Sequence, residues 1–308
     1  MNFTKKLPVA GLLAGATVWG LIWYPYRALE HAGISAELAA TLTYACAFAL
    51  GALLLRLPPD RRLSWLLAAI GLSAGWANIG FTLAVVYGDV MRVVLLFYLA
   101  PVWTVLFARL LLDEKLTAAG YGLMLLAFAG AMTMLWQPRA GWPLPRSAAE
   151  WVALSAGAMF ALSNVLVRKT AAVAMELKVL CVFAGCIVAG VCCLLFVPPA
   201  AAAWPRAFDQ GILLLLLAVV ILSVNIAVQY GLSRVSANRA IVIYLFELVV
   251  TAVSTWLLAD ELLTLKEWCG GAMIVGAGLM SERCAGAVTP NNGEIANARF
   301  AAREFRRD

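Results

Sequence analysis

The sequence predicts an all-α integral membrane protein of ten transmembrane helices, arranged as two inverted five-helix repeats. Three observations predict this. The 308 residues are 64% hydrophobic and 13% charged, with mean hydropathy +0.89, whereas a soluble domain is nearer half apolar and a quarter charged. Apolar runs of about 20 residues, the length that crosses a bilayer as a helix, recur along most of the chain. A forty-residue stretch of the first half also recurs in the second half at a constant offset.

The expected spans are 8–28, 36–56, 64–87, 91–111, 117–137, 149–169, 176–197, 208–232, 238–259 and 265–283. They end where Pro and charge cluster, as in 57-LPPDRR-62, 137-QPRAGWPLPR-146 and 197-VPPAAAAWPR-206. Hydrocarbon tolerates only helices or closed barrels, and these runs are too long for barrel strands. Lys5 and Lys6 before the first run imitate a signal peptide. Nine more runs follow and no A-x-A site ends the first, so it reads as a retained span.

Charge sets the orientation. Of the 23 Lys and Arg, 17 fall on the side that holds both termini; the other six are Arg27, Arg92, Arg139, Arg146, Arg206 and Lys266. The positive-inside rule then places both termini in the cytoplasm. The net charge of +6 is thus an orientation signal and does not point to nucleic acid. The longest polar segment is the tail 284–308, so a large soluble domain is excluded. The seven Cys lie mostly inside apolar runs with no C-x-x-C and no His nearby, and read as small buried hydrophobes. No metal site and no cofactor is expected.

The repeat pairs 78-NIGFTLAVVYGDVMRVVLLFYLAPVWTVLFARLLLDEKLT-117 with 225-NIAVQYGLSRVSANRAIVIYLFELVVTAVSTWLLADELLT-264, offset by 147 without gaps and identical at eleven of forty positions. Apolar identities come easily in a membrane protein. The matches Asn78/Asn225, Arg92/Arg239, Asp113-Glu114/Asp260-Glu261 and Thr117/Thr264 do not. Residues 1–137 therefore form one five-span repeat, 138–148 an outer linker, 149–283 a second repeat and 284–308 a cytoplasmic tail. Five is odd, so the second half enters the membrane from the opposite side. Such inverted repeats characterise secondary transporters, with the substrate site near the midplane between the halves.

The five-plus-five spans, Trp19-Gly20 in the first, Pro101 in the fourth, and a Leu-rich helix end running into 114-EKLT-117 together resemble the drug/metabolite transporter superfamily. The second half repeats the pattern as 261-ELLT-264 and 270-GGAMIVGAG-278. The likeness is to the ten-helix EamA-type exporter branch and, within it, to the YddG-type bacterial aromatic amino-acid exporters. It covers about residues 8–283. It implies export of neutral and aromatic amino acids, Met and Thr among them, across a bacterial inner membrane. The expected partners are an amino-acid substrate and the lipid bilayer, and the expected state is a monomer or weak homodimer. The smaller four-helix drug exporters of the superfamily carry a coupling Glu in their first helix. Here that helix has no acid, so proton exchange is not carried over, and uniport remains open.

Glu247 lies near the middle of the ninth span. Intramembrane carboxylates are costly and mark functional sites. Tyr244, three residues before it, shares its face; the repeat matches of these two are Phe97 and Ala100. Glu247 reads as an acceptor for a substrate ammonium group or as a protonatable group, against the alternative of a contact between helices. Asn78 with Thr82, and Asn225 with Gln229, make polar faces at matched repeat positions, lining a cavity or bonding a neighbouring helix. Asn164 in the sixth span is similar. Trp19, Tyr98 and Trp103 are candidates for contacting an apolar or aromatic side chain, and ring faces also attract ammonium groups. Arg92 and Arg239 would sit at opposite mouths, as gates or as snorkelling helix-end residues.

Other readings fit less well. The stretch 71-GLSAG-75 matches the nucleophile-elbow pattern, but that motif needs a strand-to-helix turn, and the one His, His31, lies elsewhere. No Walker sequence or metal-ligand cluster is present, so the chain is not expected to be an enzyme. A nucleotide-sugar carrier would need basic residues at the midplane, and few are there. A drug or other small-metabolite exporter, a channel and a membrane signalling protein remain as alternatives.

Overall fold

The computed structural model describes residues 3–56, 64–88, 90–136, 144–196, 208–258 and 264–284. The tail 285–308, the Asp260-Glu261 pair and residues 138–143 of the expected linker lie outside the described residues. The helices of the first half are α1 (Phe3–Leu21), α2 (Trp23–His31), α3 (Ala36–Leu54), α4 (Trp65–Tyr87), α5 (Val90–Phe97), α6 (Ala100–Leu112) and α7 (Ala118–Leu135). The second half holds α8 (Ala148–Lys169), α9 (Met175–Phe196), α10 (Phe208–Leu232), α11 (Ala237–Tyr244), α12 (Phe246–Leu258) and α13 (Leu265–Cys284).

Among the described residues, nine helical stretches are long and apolar enough to cross a membrane. They correspond to the first nine expected spans. The tenth expected span, 265–283, forms α13, whose ends carry Lys266, Glu267, Glu282 and Arg283. Large apolar side chains such as Leu53, Leu110, Phe196 and Leu279 stand exposed along the helices. An apolar surface of that extent belongs against hydrocarbon. The chain is a multi-pass, all-helical membrane protein.

Local chemistry explains where the helices begin. Ser35, Ser64 and Ser147 turn their hydroxyls onto the first-turn N–H groups of α3, α4 and α8, as N-caps do. Thr117 caps α7 by accepting from the Gly120 N–H at 3.1 Å. Its repeat match Thr264 forms a capping box with Glu267 at α13: Glu267 Oε2 accepts from the Thr264 N–H at 2.7 Å, and the Glu267 N–H donates back to Thr264 Oγ1 at 3.4 Å. This reciprocal pair satisfies two otherwise orphan groups. The threonine that closes 114-EKLT-117 and 261-ELLT-264 is thus a helix start in both halves.

Two more polar identities repeat their bonds. Asn78 Nδ2 donates to the Ala74 carbonyl at 2.9 Å, and Asn225 Nδ2 to the Ile221 carbonyl at 3.3 Å. Thr104 Oγ1 donates to Ala100 at 3.0 Å, and Thr251 Oγ1 to Glu247 at 2.9 Å.

The helices pack in a small set of pairs. α4 lies against α8 and α9, α3 against α9 and α10, and α7 against α13. α5 and α6 lie against α8, while α1 lies against α10, α11 and α12. Lipid supplies no hydrophobic drive between helices, so small residues that allow close approach set the crossings. At the α4–α9 crossing a Cβ on Gly185 would fall onto the Gly71 carbonyl. The 71-GLSAG-75 stretch is therefore a packing surface within a helix. Its Ser73 hydroxyl is spent on the Ala69 carbonyl at 2.6 Å.

Candidate functional site

Three expected spans are not single helices. The first divides at Ile22, the fourth at Tyr98–Leu99 and the ninth at Leu245. Two of these breaks have a proline cause. Pro25 and Pro101 lack an N–H and press on the carbonyls of Leu21 and Phe97, four residues earlier. The Phe97 carbonyl instead lies against Gly157 of α8, where a Cβ would collide with it.

The ninth span has no proline, since Leu248 stands where Pro101 stands in the other half. Its backbone tightens instead, with the Leu248 N–H donating to the Leu245 carbonyl three residues back at 3.1 Å. Tyr98 and Leu245 differ by the repeat offset of 147. The two breaks therefore fall at the same place in the repeated sequence.

Glu247 stands immediately after its break, in the first turn of α12. The N-terminal end of a helix carries partial positive charge and favours a carboxylate. This answers part of the cost of burying one there. Ala100 holds the matching place in the first turn of α6. Tyr98, from the other break, and Tyr244 both stand close to the Glu247 carboxyl.

Aromatic rings connect the two breaks. Trp19 meets Tyr244 edge-on at 6.5 Å between centroids, and Tyr244 meets Phe160 of α8 at 5.6 Å. Phe160 meets Phe97 at 5.6 Å, and Phe97 meets both Tyr98 at 5.6 Å and Phe81 at 4.7 Å. Separations of this size are those of attractive ring pairs. Trp19, Tyr98, Tyr244 and Glu247, four of the candidates named from the sequence, thus lie near one another. Phe81 and Phe160 are not among the candidates named from the sequence, and Phe97 enters there only as the repeat match of Tyr244. A phenylalanine in an apolar helix carries no local signal; that match to Tyr244 is the one clue for Phe97.

The other candidates fare differently. Asn78 Oδ1 accepts from the Tyr44 hydroxyl at 2.8 Å, joining α3 to α4. Thr82 Oγ1 donates to the Asn78 carbonyl at 3.0 Å. Asn78 thus bonds a neighbouring helix, while the Thr82 hydroxyl is spent within its own. Asn225 and Gln229 are buried on α10. Gln229 Oε1 and Asn164 Nδ2 have no hydrogen-bond partner among the described residues, so both retain capacity for a ligand or water. Asn164 lies one turn beyond Phe160 on α8. Trp103 stacks on Phe107 of its own helix at 6.3 Å and does not join the ring cluster.

The two arginines mark the two ends of the bundle. Arg92 is buried and makes a fork with Glu150, the Nε–Oε1 and Nη2–Oε2 distances being 2.8 and 2.9 Å. It also donates to the Leu144 carbonyl at 2.9 Å. The fork ties the start of α5 to the start of α8. Arg239 lies at the start of α11, at the opposite end. Near it Glu114 and Arg168 form an ion pair at 3.6 Å, and Arg168 Nη1 donates to the Ser233 carbonyl at 2.8 Å.

Comparison with known proteins gives the family. The profile of the EamA-like transporter family matches residues 6–136 and again residues 147–281. No curated protein matches. A crystal structure, described only as that of a protein, aligns over 92% of this chain and 98% of its own with a TM-score of 0.73. At 18% identity that likeness speaks to the fold alone.

Proposed function

We propose that this chain, which belongs to the EamA-like transporter family, exports neutral and chiefly aromatic amino acids by alternating access. As a family member it is a small-molecule transporter; the substrate, the mechanism and the membrane are our reading. The observation that carries it is the meeting of the two helix breaks. One brings the Glu247 carboxyl, the other brings Tyr98, and a chain of aromatic contacts joins them. A carboxylate with flanking ring faces suits an ammonium group. The rings suit an apolar or aromatic side chain. Broken helices at the midplane are where secondary transporters place their substrates.

The reading includes ten spans in two inverted halves, with α13 as the tenth. The packing supports this. Exchanging each span with the one five places on turns the α4–α8 contact into α10–α1, and α4–α9 into α10–α3. It turns the contact of α5 and α6 with α8 into that of α11 and α12 with α1, while α3–α9 and α7–α13 map onto themselves. The family profile likewise matches twice. Two similar halves that rock against each other give two states of nearly equal energy, one open to each side. The distribution of Lys and Arg favours cytoplasmic termini, and the membrane in this reading is a bacterial inner membrane. Arg92 and Arg239 then stand at the outer and inner mouths.

The test is counterflow in proteoliposomes, using labelled phenylalanine against a panel of unlabelled amino acids, with and without a pH gradient. Saturable exchange with preference for aromatic side chains is expected. Exchange driven by no amino acid in the panel would reject the substrate. Flux that never saturates would point to a channel.

A further inference from the structure

We infer that Glu114 is a gate residue, which holds the Arg239 end of the bundle shut by capping α11 from the other half of the molecule. Ser236, just before α11, is a residue type that commonly caps its own helix, yet its side chain makes no such bond. The Ala237 N–H, one of the donors that a first turn leaves unsatisfied, donates to Glu114 Oε2 at 3.1 Å across 123 positions of sequence. A carboxylate at this place meets both a donor and the positive end of a helix.

The surroundings hold Glu114 in position and extend the closure. Its other oxygen pairs with Arg168 near the end of α8, and Arg168 reaches the Ser233 carbonyl just past α10. Lys178, fully buried near the start of α9, donates to Ser233 Oγ at 2.6 Å and to the Thr170 carbonyl at 3.3 Å. Glu114 and Arg168 belong to the group in which α4, α5 and α6 pack on α8. Ala237 and Ser233 belong to the group in which α10, α11 and α12 pack on α1. Opening this end separates the two groups and breaks the Glu114–Ala237 and Arg168–Ser233 bonds. The Glu114–Arg168 pair stays within one group, so it orients the carboxylate and does not itself span the gate.

The inference rests on the alternating-access reading but not on the substrate. It is tested on the full chain in proteoliposomes, with the native cysteines replaced and Asn164→Cys as reporter, one turn inward of Arg168. A membrane-impermeant maleimide is applied from each side. Glu114→Ala is expected to raise labelling from the Arg239 side about tenfold, the ratio given by ~1.4 kcal/mol, and to lower labelling from the Arg92 side. Glu114→Gln, which can still accept from Ala237, is expected to fall between. The charge swap Glu114→Arg with Arg168→Glu is expected to stay open, because it restores an ion pair but sets a cation against the start of α11. Wild-type labelling in both Glu114 variants, at unchanged Tm, would overturn the inference, as would closure restored by the swap. Absence of labelling from either side in every protein would overturn the two-sided access beneath it, while leaving the counterflow test of the substrate intact.

Discussion

The break between α5 and α6 and the break between α11 and α12 occupy the same place in the repeated sequence but are made differently. The first is dictated locally, because Pro101 removes a donor and leaves the Phe97 carbonyl against Gly157. The second has Leu248 in place of the proline, and Glu247 in place of Ala100. Each break is followed by the same threonine-to-carbonyl bond, Thr104 to Ala100 and Thr251 to Glu247. The difference separates shape from chemistry. Both halves supply an interrupted helix; one supplies a proline and the Tyr98 phenol, the other a carboxylate beside the Tyr244 phenol.

The largest effect is expected from erasing that difference. Glu247→Ala removes an acceptor for a charged group, worth roughly 1.5–3 kcal/mol. Counterflow at low substrate should fall by about 10²-fold at the upper end of that range. Adding Ala100→Glu to the same variant should not restore it, because the carboxylate then stands at the other break, in the first turn of α6. Recovery in the double variant would make the two breaks interchangeable.

A smaller effect is expected from straightening the first break. A proline inside a helix costs ~3 kcal/mol, so Pro101→Ala should favour a continuous α5–α6. Tm should hold or rise while counterflow drops. Retained transport would mean that the break is not needed.

Gly157→Ala drives a Cβ into the Phe97 carbonyl and should destabilise the fold by about 1–3 kcal/mol, as overpacking does. A shift in Tm checks it. The smallest effect is that of Tyr98→Phe, which deletes one hydroxyl beside Glu247. KM should rise severalfold with kcat little changed.

Much of this architecture was legible in the chain. Nine of the spans follow from apolar length, and the polar identities of the repeat found positions that do the same structural job twice. Trp19, Tyr98, Tyr244 and Glu247 stand out as candidates because a polar or amphipathic group in an apolar run is expensive and therefore informative. Phe81 and Phe160 do not, because their type is ordinary in such helices. Pro25 and Pro101 account for the breaks in the first and fourth spans, whereas the interruption at Leu245 has no local cause that a sequence displays. Asn78 could equally have faced a cavity until the Tyr44 hydroxyl was seen upon it. Glu114 stands out in the sequence only as a repeat match and as the first residue of 114-EKLT-117, because an acid just past a helix end reads as solvated. Its partner, the Ala237 N–H, is a backbone group brought near only by the fold.

The most direct test of the central claim, that the Glu247 carboxyl takes a substrate ammonium group beside aromatic rings, is competition against phenylalanine counterflow. Phenethylamine has the ring and the ammonium group; 3-phenylpropionate has the ring and the carboxylate. Phenethylamine should inhibit the wild type better than 3-phenylpropionate, and Glu247→Gln should abolish that preference. Equal inhibition by both compounds, or a preference that survives Glu247→Gln, would contradict the assignment.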